Sequence, residues 1–115
     1  MILNEFFTRL NIDSELVLNR FGGNVQLFEK FLRRFPSDPS WNTLQQAIQQ
    51  QNYSEIAASA HTLKGVCLNF GFDTLVSLCE KITTFARQED YDQICTYISD
   101  AKTEYEKIAA LIQQL

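Results

Sequence analysis

The only histidine of the chain, His61, lies in the run "AHTLKGVCLNFG" (Ala60–Gly71), with Lys64 three residues on and Gly65 four residues on. Helix positions three and four apart share a face, so this spacing puts a cation and a bare stretch of backbone beside one imidazole. An exposed imidazole is largely neutral at pH 7, with a ring lone pair free to attack an electrophile such as phosphorus. The anionic group so acquired needs a countercharge, which Lys64 offers. Helical side chains lean toward the N-terminus, so a side chain at position 65 would lie over the turn that holds position 61. Glycine leaves the ring uncovered, at a cost of about 0.8–1 kcal/mol relative to alanine. Phosphoryl acceptance is the chemistry this constellation suits. Two plainer readings fit the same residues: a solvated histidine with a lysine one turn away, and a mid-helix glycine that lets two helices approach closely.

No competing chemistry emerges elsewhere. Cys67, Cys79 and Cys95 are odd in number, widely spaced and set in apolar periodic segments, which suits reduced core thiols. No CxxC pair or other ligand spacing accompanies them, so no metal site is expected. There is no glycine-rich phosphate loop for ATP. A net charge of -4 and a pI near 4.9 argue against nucleic acid and toward a protein partner. No apolar run is long enough to span a membrane, and "MILNEFFTRL" lacks the features of a signal peptide, so a soluble cytoplasmic protein is expected.

The elements that must position His61 read as helices throughout, and the fold class is all-α. The length and the 45% hydrophobic content suit one domain over residues 1–115. Short N-terminal helices within about 1–35 carry Ile2, Leu3, Phe6, Phe7 and Leu10, then a segment from about Ser14 to Arg20, then Val25, Phe28, Leu32 and Phe35 behind an Asn24 N-cap. Asp38 and Pro39 start a helix with Trp41, Leu44 and Ile48 on one face. Asn52 and Glu55, at capping-box spacing, open a helix over 53–70 that Gly71 stops. Asp73 is read as the cap of the next helix, with Leu75, Leu78, Ile82 and Phe85 as its stripe. Asp90 and Gln93 open the last, striped by Ile94, Ile98, Ala101, Tyr105, Ile108, Ile112 and Leu115. The four longer helices over about 38–115 are expected to form an antiparallel up-and-down bundle, with the short helices packed against it. Within 53–70, Ile56, Ala60, Leu63, Cys67 and Phe70 form the core stripe. Ala57, His61, Lys64, Gly65 and Leu68 lie about 100° round the helix, toward solvent.

The string from Ala60 to Gly71, with Leu75, Cys79 and Ile82 downstream, resembles the signature of histidine-containing phosphotransfer (HPt) domains: alanine and histidine, an apolar residue, lysine and glycine, then a second glycine. "RFGGNVQLFEKFLRRF" and "NYSEIAASAHTLKG" are also similar to that family's segments, so the resemblance covers nearly the whole chain. It implies that His61 accepts a phosphoryl group from the aspartate of one response-regulator receiver domain and passes it to another, in a pathway fed by a sensor histidine kinase. It also implies no cofactor in this chain, with magnesium brought by the receiver. Thr83 and Arg87 match the family's polar and basic positions on the following helix; Thr83 is shorter than the glutamine often found there. Arg87 reads equally as a solvated helix-end charge. Ala57, Leu68 and Phe72 would form an apolar rim for the receiver, with a core position as the other reading of Phe72. A monomer is expected. The alternatives are the N-terminal phosphotransfer domain of a chemotaxis-type histidine kinase, to which "NFGFDTL" is similar, and a non-catalytic helical interaction module. A phosphohistidine enzyme acting on small molecules lacks a second acid–base group near His61 in the sequence.

Overall fold

Side-chain oxygens of asparagine and aspartate start four of the helices in the computed structural model, which describes residues 1–115. Asp13 accepts from the Leu16 amide at the head of α2 (Ser14–Asn19), and Asn24 from Leu27 at α3 (Val25–Arg34). Asn52 accepts from Glu55 at α5 (Tyr53–Phe70), and Asp90 from Gln93 at α7 (Tyr91–Gln113). Each satisfies an amide that the first turn leaves without a helical partner. The remaining helices are α1 (Leu3–Arg9), α4 (Ser40–Gln49) and α6 (Asp73–Arg87), and a 3₁₀ turn at Phe35–Ser37 joins α3 to α4. Every regular element is helical.

Some local expectations need correction. Asp73 is the first residue of α6 and caps nothing; Phe72 precedes it without a side-chain cap. The reciprocal half of the Asn52–Glu55 capping box is not made, because the Asn52 amide donates to the Ala47 carbonyl at 3.1 Å. At the head of α4 the cap position falls on Pro39, one residue later than read, and no side chain caps the helix; Asp38 accepts from the Ser40 amide at 2.9 Å just ahead of it. Ile2 (70% exposed) and Val25 lie outside the core: Ile2 is the cap position of α1 and Val25 the first residue of α3.

A single cluster of 26 buried residues runs from Phe6 to Ile112. α5 packs against α4 and α6, and α6 against α7. Trp41 on α4 stacks on Tyr105 of α7 with ring centres 4.6 Å apart, and Phe85 on α6 stacks on Tyr97 of α7 at 5.6 Å. The N-terminal helices close one end with aromatic rings: Phe28 meets Phe70 at 5.8 Å, Phe35 meets Phe72 at 5.0 Å, and Phe6 meets Phe72 at 6.5 Å. Edge and offset contacts of this kind add to the area they bury. They fix the end of α5 and the start of α6, and so the register of the two helices that flank His61. No helix is long and apolar enough to cross a membrane.

Candidate functional site

The five apolar positions of α5 named from the sequence are all buried, with Ile56, Ala60 and Cys67 at 0% exposure, so the orientation of the helix about its axis is fixed. That orientation turns the neighbouring stripe outward. His61, Gly65 and Leu68 are exposed, and Ala57 and Lys64 are half-buried. No ion pair and no side-chain hydrogen bond engages the imidazole. A Cβ built on Gly65 meets nothing within 4 Å. No helix packs closely there, so the close-approach explanation of this glycine fails and the space it leaves is open solvent over the turn of His61.

Lys64 reaches across to α6, with Nζ 3.8 Å from Oε1 of Glu80. Only Gly71 and Phe72 separate the two helices, so α6 turns back along α5. Thr83 is buried, and its hydroxyl donates to the Cys79 carbonyl at 2.8 Å. The donor expected to orient the imidazole is therefore committed to α6 itself, a consequence of the short side chain that cannot extend past its own backbone. Arg87 is exposed in the last turn of α6, where the helix dipole favours a cation.

Gly71 ends α5 at φ +74°, with the Phe72 amide bonded to the Cys67 carbonyl at 3.1 Å and the Gly71 amide to Leu68 at 3.3 Å. This Schellman arrangement needs a left-handed residue, which glycine adopts most easily. The Arg20 guanidinium donates to the same Leu68 carbonyl, tying α2 to the end of α5. Phe72 does not belong to the rim. It is 3% exposed, against the Phe35 and Phe70 rings, because the hydrophobic residue after a Schellman glycine folds back onto the helix it follows. Leu68 at 41% exposure and Ala57 remain on the surface beside His61. Sequence reasoning missed Glu80 and Arg20; neither has a motif, since each acts across elements whose register appears only in three dimensions.

The thiols supply no second chemistry. Burial pushes Cys79 up to about 12, with Glu80 adding to the rise and Lys64 opposing it, and burial likewise raises Cys67, with Cys79 adding. Both stay protonated and unreactive at neutral pH. Cys95 departs from the core reading: it is exposed on α7, one position past buried Ile94. No three histidine, cysteine or acidic side chains converge to hold a metal ion. His61 lines none of the five main surface hollows, so its surroundings suit a macromolecule that covers the helix face better than a small substrate that enters a pocket.

Residues 26–115 match the family model described as "Hpt domain". No curated protein and no solved structure matches the chain.

Proposed function

The chain belongs to the Hpt domain family, the phosphotransfer modules of two-component signalling, and we propose that it works as a phosphorelay intermediate with His61 as the phospho-acceptor. The carrying observation is the exposed imidazole with open space over it at Gly65 and a lysine ammonium on the same face. The architecture that presents it is read as an antiparallel up-and-down bundle of α4–α7 in one domain over 1–115. The sequential packing of α4, α5, α6 and α7 through short links supports that reading.

The ring nitrogen farther from the backbone, Nε2, attacks phosphorus of a receiver's aspartyl phosphate. The N–P bond forms as the P–O bond to the aspartate breaks, and the carboxylate leaves with the electron pair. The imidazole proton stays on the other ring nitrogen. The receiver brings its magnesium ion and most of the transition-state stabilisation. This chain contributes a fixed nucleophile, an uncovered approach and a countercharge. Transfer onward to a second receiver reverses these steps. Leu68 and Ala57 form the apolar rim against which the receiver docks, and Arg87 adds charge at its edge. Family members carry no kinase activity of their own, and phosphate enters from a sensor histidine kinase by way of a receiver.

Incubation with phosphorylated receiver domains, followed by intact-mass measurement, tests this reading. The expected result is one acid-labile phosphoryl group per chain, absent from His61→Gln. A folded wild-type chain that gains none from a panel of receivers, or from a chemotaxis-type kinase with ATP, would leave a helical interaction module as the reading.

A further inference from the structure

The ammonium that would offset a phosphohistidine is already held when the ring is bare. Lys64 Nζ lies 3.8 Å from Glu80 Oε1, and the two side chains are 32% and 56% exposed. Of the other cations near this end of α5 and α6, Arg87 lies exposed in the last turn of α6 and two are engaged. Lys81 places Nζ 5.1 Å from the centre of the Tyr97 ring, toward α7, and Arg20 donates to the Leu68 carbonyl. Lys64 is the cation on the face of His61 that reaches across from α5 to α6, and Glu80 is its resting partner.

We propose that Glu80 is a positioning residue that holds Lys64 away from the bare imidazole and yields it to the phosphoryl group, so limiting how far His61 phosphorylation proceeds. The proposal rests on the phospho-acceptor reading of His61. A phosphoryl group carries more negative charge than one carboxylate, and an exposed ion pair is weak, so the flexible lysine stem can turn from Glu80 to the modified ring. Two effects then disfavour the phosphorylated state. The Lys64–Glu80 attraction is lost, and Glu80 is left unpaired beside an anion. Both tilt the exchange toward the receiver, which suits an intermediate that must pass its phosphoryl group on.

Glu80→Gln keeps the size and removes the charge on an exposed side chain, and circular dichroism and denaturation check that the fold is kept. The measurement is the equilibrium constant for phosphoryl exchange with a receiver that phosphorylates the wild-type chain. That constant compares free species only, so altered docking changes rates and leaves it alone. Glu80→Gln is expected to raise it about two- to fivefold at low salt, with a smaller rise at high salt. In a Lys64→Ala background the same substitution is expected to have a smaller effect, because only the repulsion between Glu80 and the phosphoryl group is then left to relieve, and a purely structural role for Glu80 would not depend on Lys64. Equal constants for wild type and Glu80→Gln, or the same rise with and without Lys64, would overturn the proposal while the function of His61 stands. A wild-type chain that accepts no phosphoryl group would overturn both.

Discussion

A Cβ on Gly71 would stand 2.8 Å from Cγ2 of Val17 and 3.2 Å from Cγ2 of Ile12. The end of α5 is thus closed on Ile12 and α2 with no room for a side chain, and its backbone is left-handed at the same residue. Gly71→Ala meets both penalties. The left-handed conformation costs about 1 kcal/mol and the overpacking about 1–3 kcal/mol, so a loss of about 2–4 kcal/mol is expected. Urea denaturation checks it: an unchanged midpoint would show that α2 moves aside freely.

Much of this arrangement was legible before the structure. The core stripe of α5 follows from one period, and a period that strong also fixes which residues face outward, so His61, Gly65 and Leu68 fell on the correct side. Asn24, Asn52 and Asp90 cap as read because capping is a local contact of three residues. What was left open or missed was non-local or lay in links. Phe72 sits between two helices, where no period applies, and its burial depends on rings from α1 and the 3₁₀ turn. Thr83 is one of four buried positions on α6 outside the expected stripe, with Val76, Cys79 and Ala86, because that helix is packed on two sides, by α5 and α7. Cys95 lies next to the apolar period of α7 and not on it.

Substitutions at Gly65 should separate helix stability from access. A methyl group there meets nothing, so Gly65→Ala should stabilise the helix by about 0.8–1 kcal/mol and leave phosphotransfer nearly intact. Gly65→Gln should keep the fold and slow transfer, since the longer side chain leans over the turn of His61. His61→Gln should end phosphorylation with a change in stability within about 0.5 kcal/mol, as for other exposed positions. Rapid-quench transfer assays beside thermal denaturation make the comparison. Transfer by folded Gly65→Gln at the wild-type rate would refute the access argument.

The cysteines predict a pattern of reactivity and of pH dependence. Cys95 alone is exposed, so one thiol per chain should react with a water-soluble alkylating reagent in the native protein and three in denaturant. Burial holds the Cys79 thiol at about 12 against an ordinary 9.0, and raises Cys67 from the same ordinary value. Below pH 9 both thiols are protonated in the folded and unfolded chains, and their contribution to stability is fully present. Above it the unfolded chain releases protons that the folded one retains, so stability falls as pH rises, by about 1.4 kcal/mol per pH unit for each thiol. Denaturation series between pH 7 and pH 11 measure the slope. Cys79→Ala should flatten it, and a slope indifferent to that substitution would assign the loss to other groups.

Leu68 and Phe72, four residues apart, should behave in opposite ways. Leu68 is 41% exposed on the stripe of His61, while Phe72 is 3% exposed among the rings that close the aromatic end. Leu68→Asp leaves the carbonyl that Arg20 engages in place, because that contact is made to backbone, so the fold should persist. Loss of an apolar contact at a docking surface costs about 1–2 kcal/mol when the residue lies near its centre, which corresponds to a weakening of receiver binding by about five- to thirtyfold. Phe72→Asp should instead bury an unpaired carboxylate and unfold the domain. Receiver titrations by calorimetry beside circular dichroism distinguish the two. A folded Leu68→Asp that binds receivers as tightly as wild type would move the docking surface off this face of α5, and a folded Phe72→Asp would show that the ring packing at the α5–α6 link does not hold α5 in register.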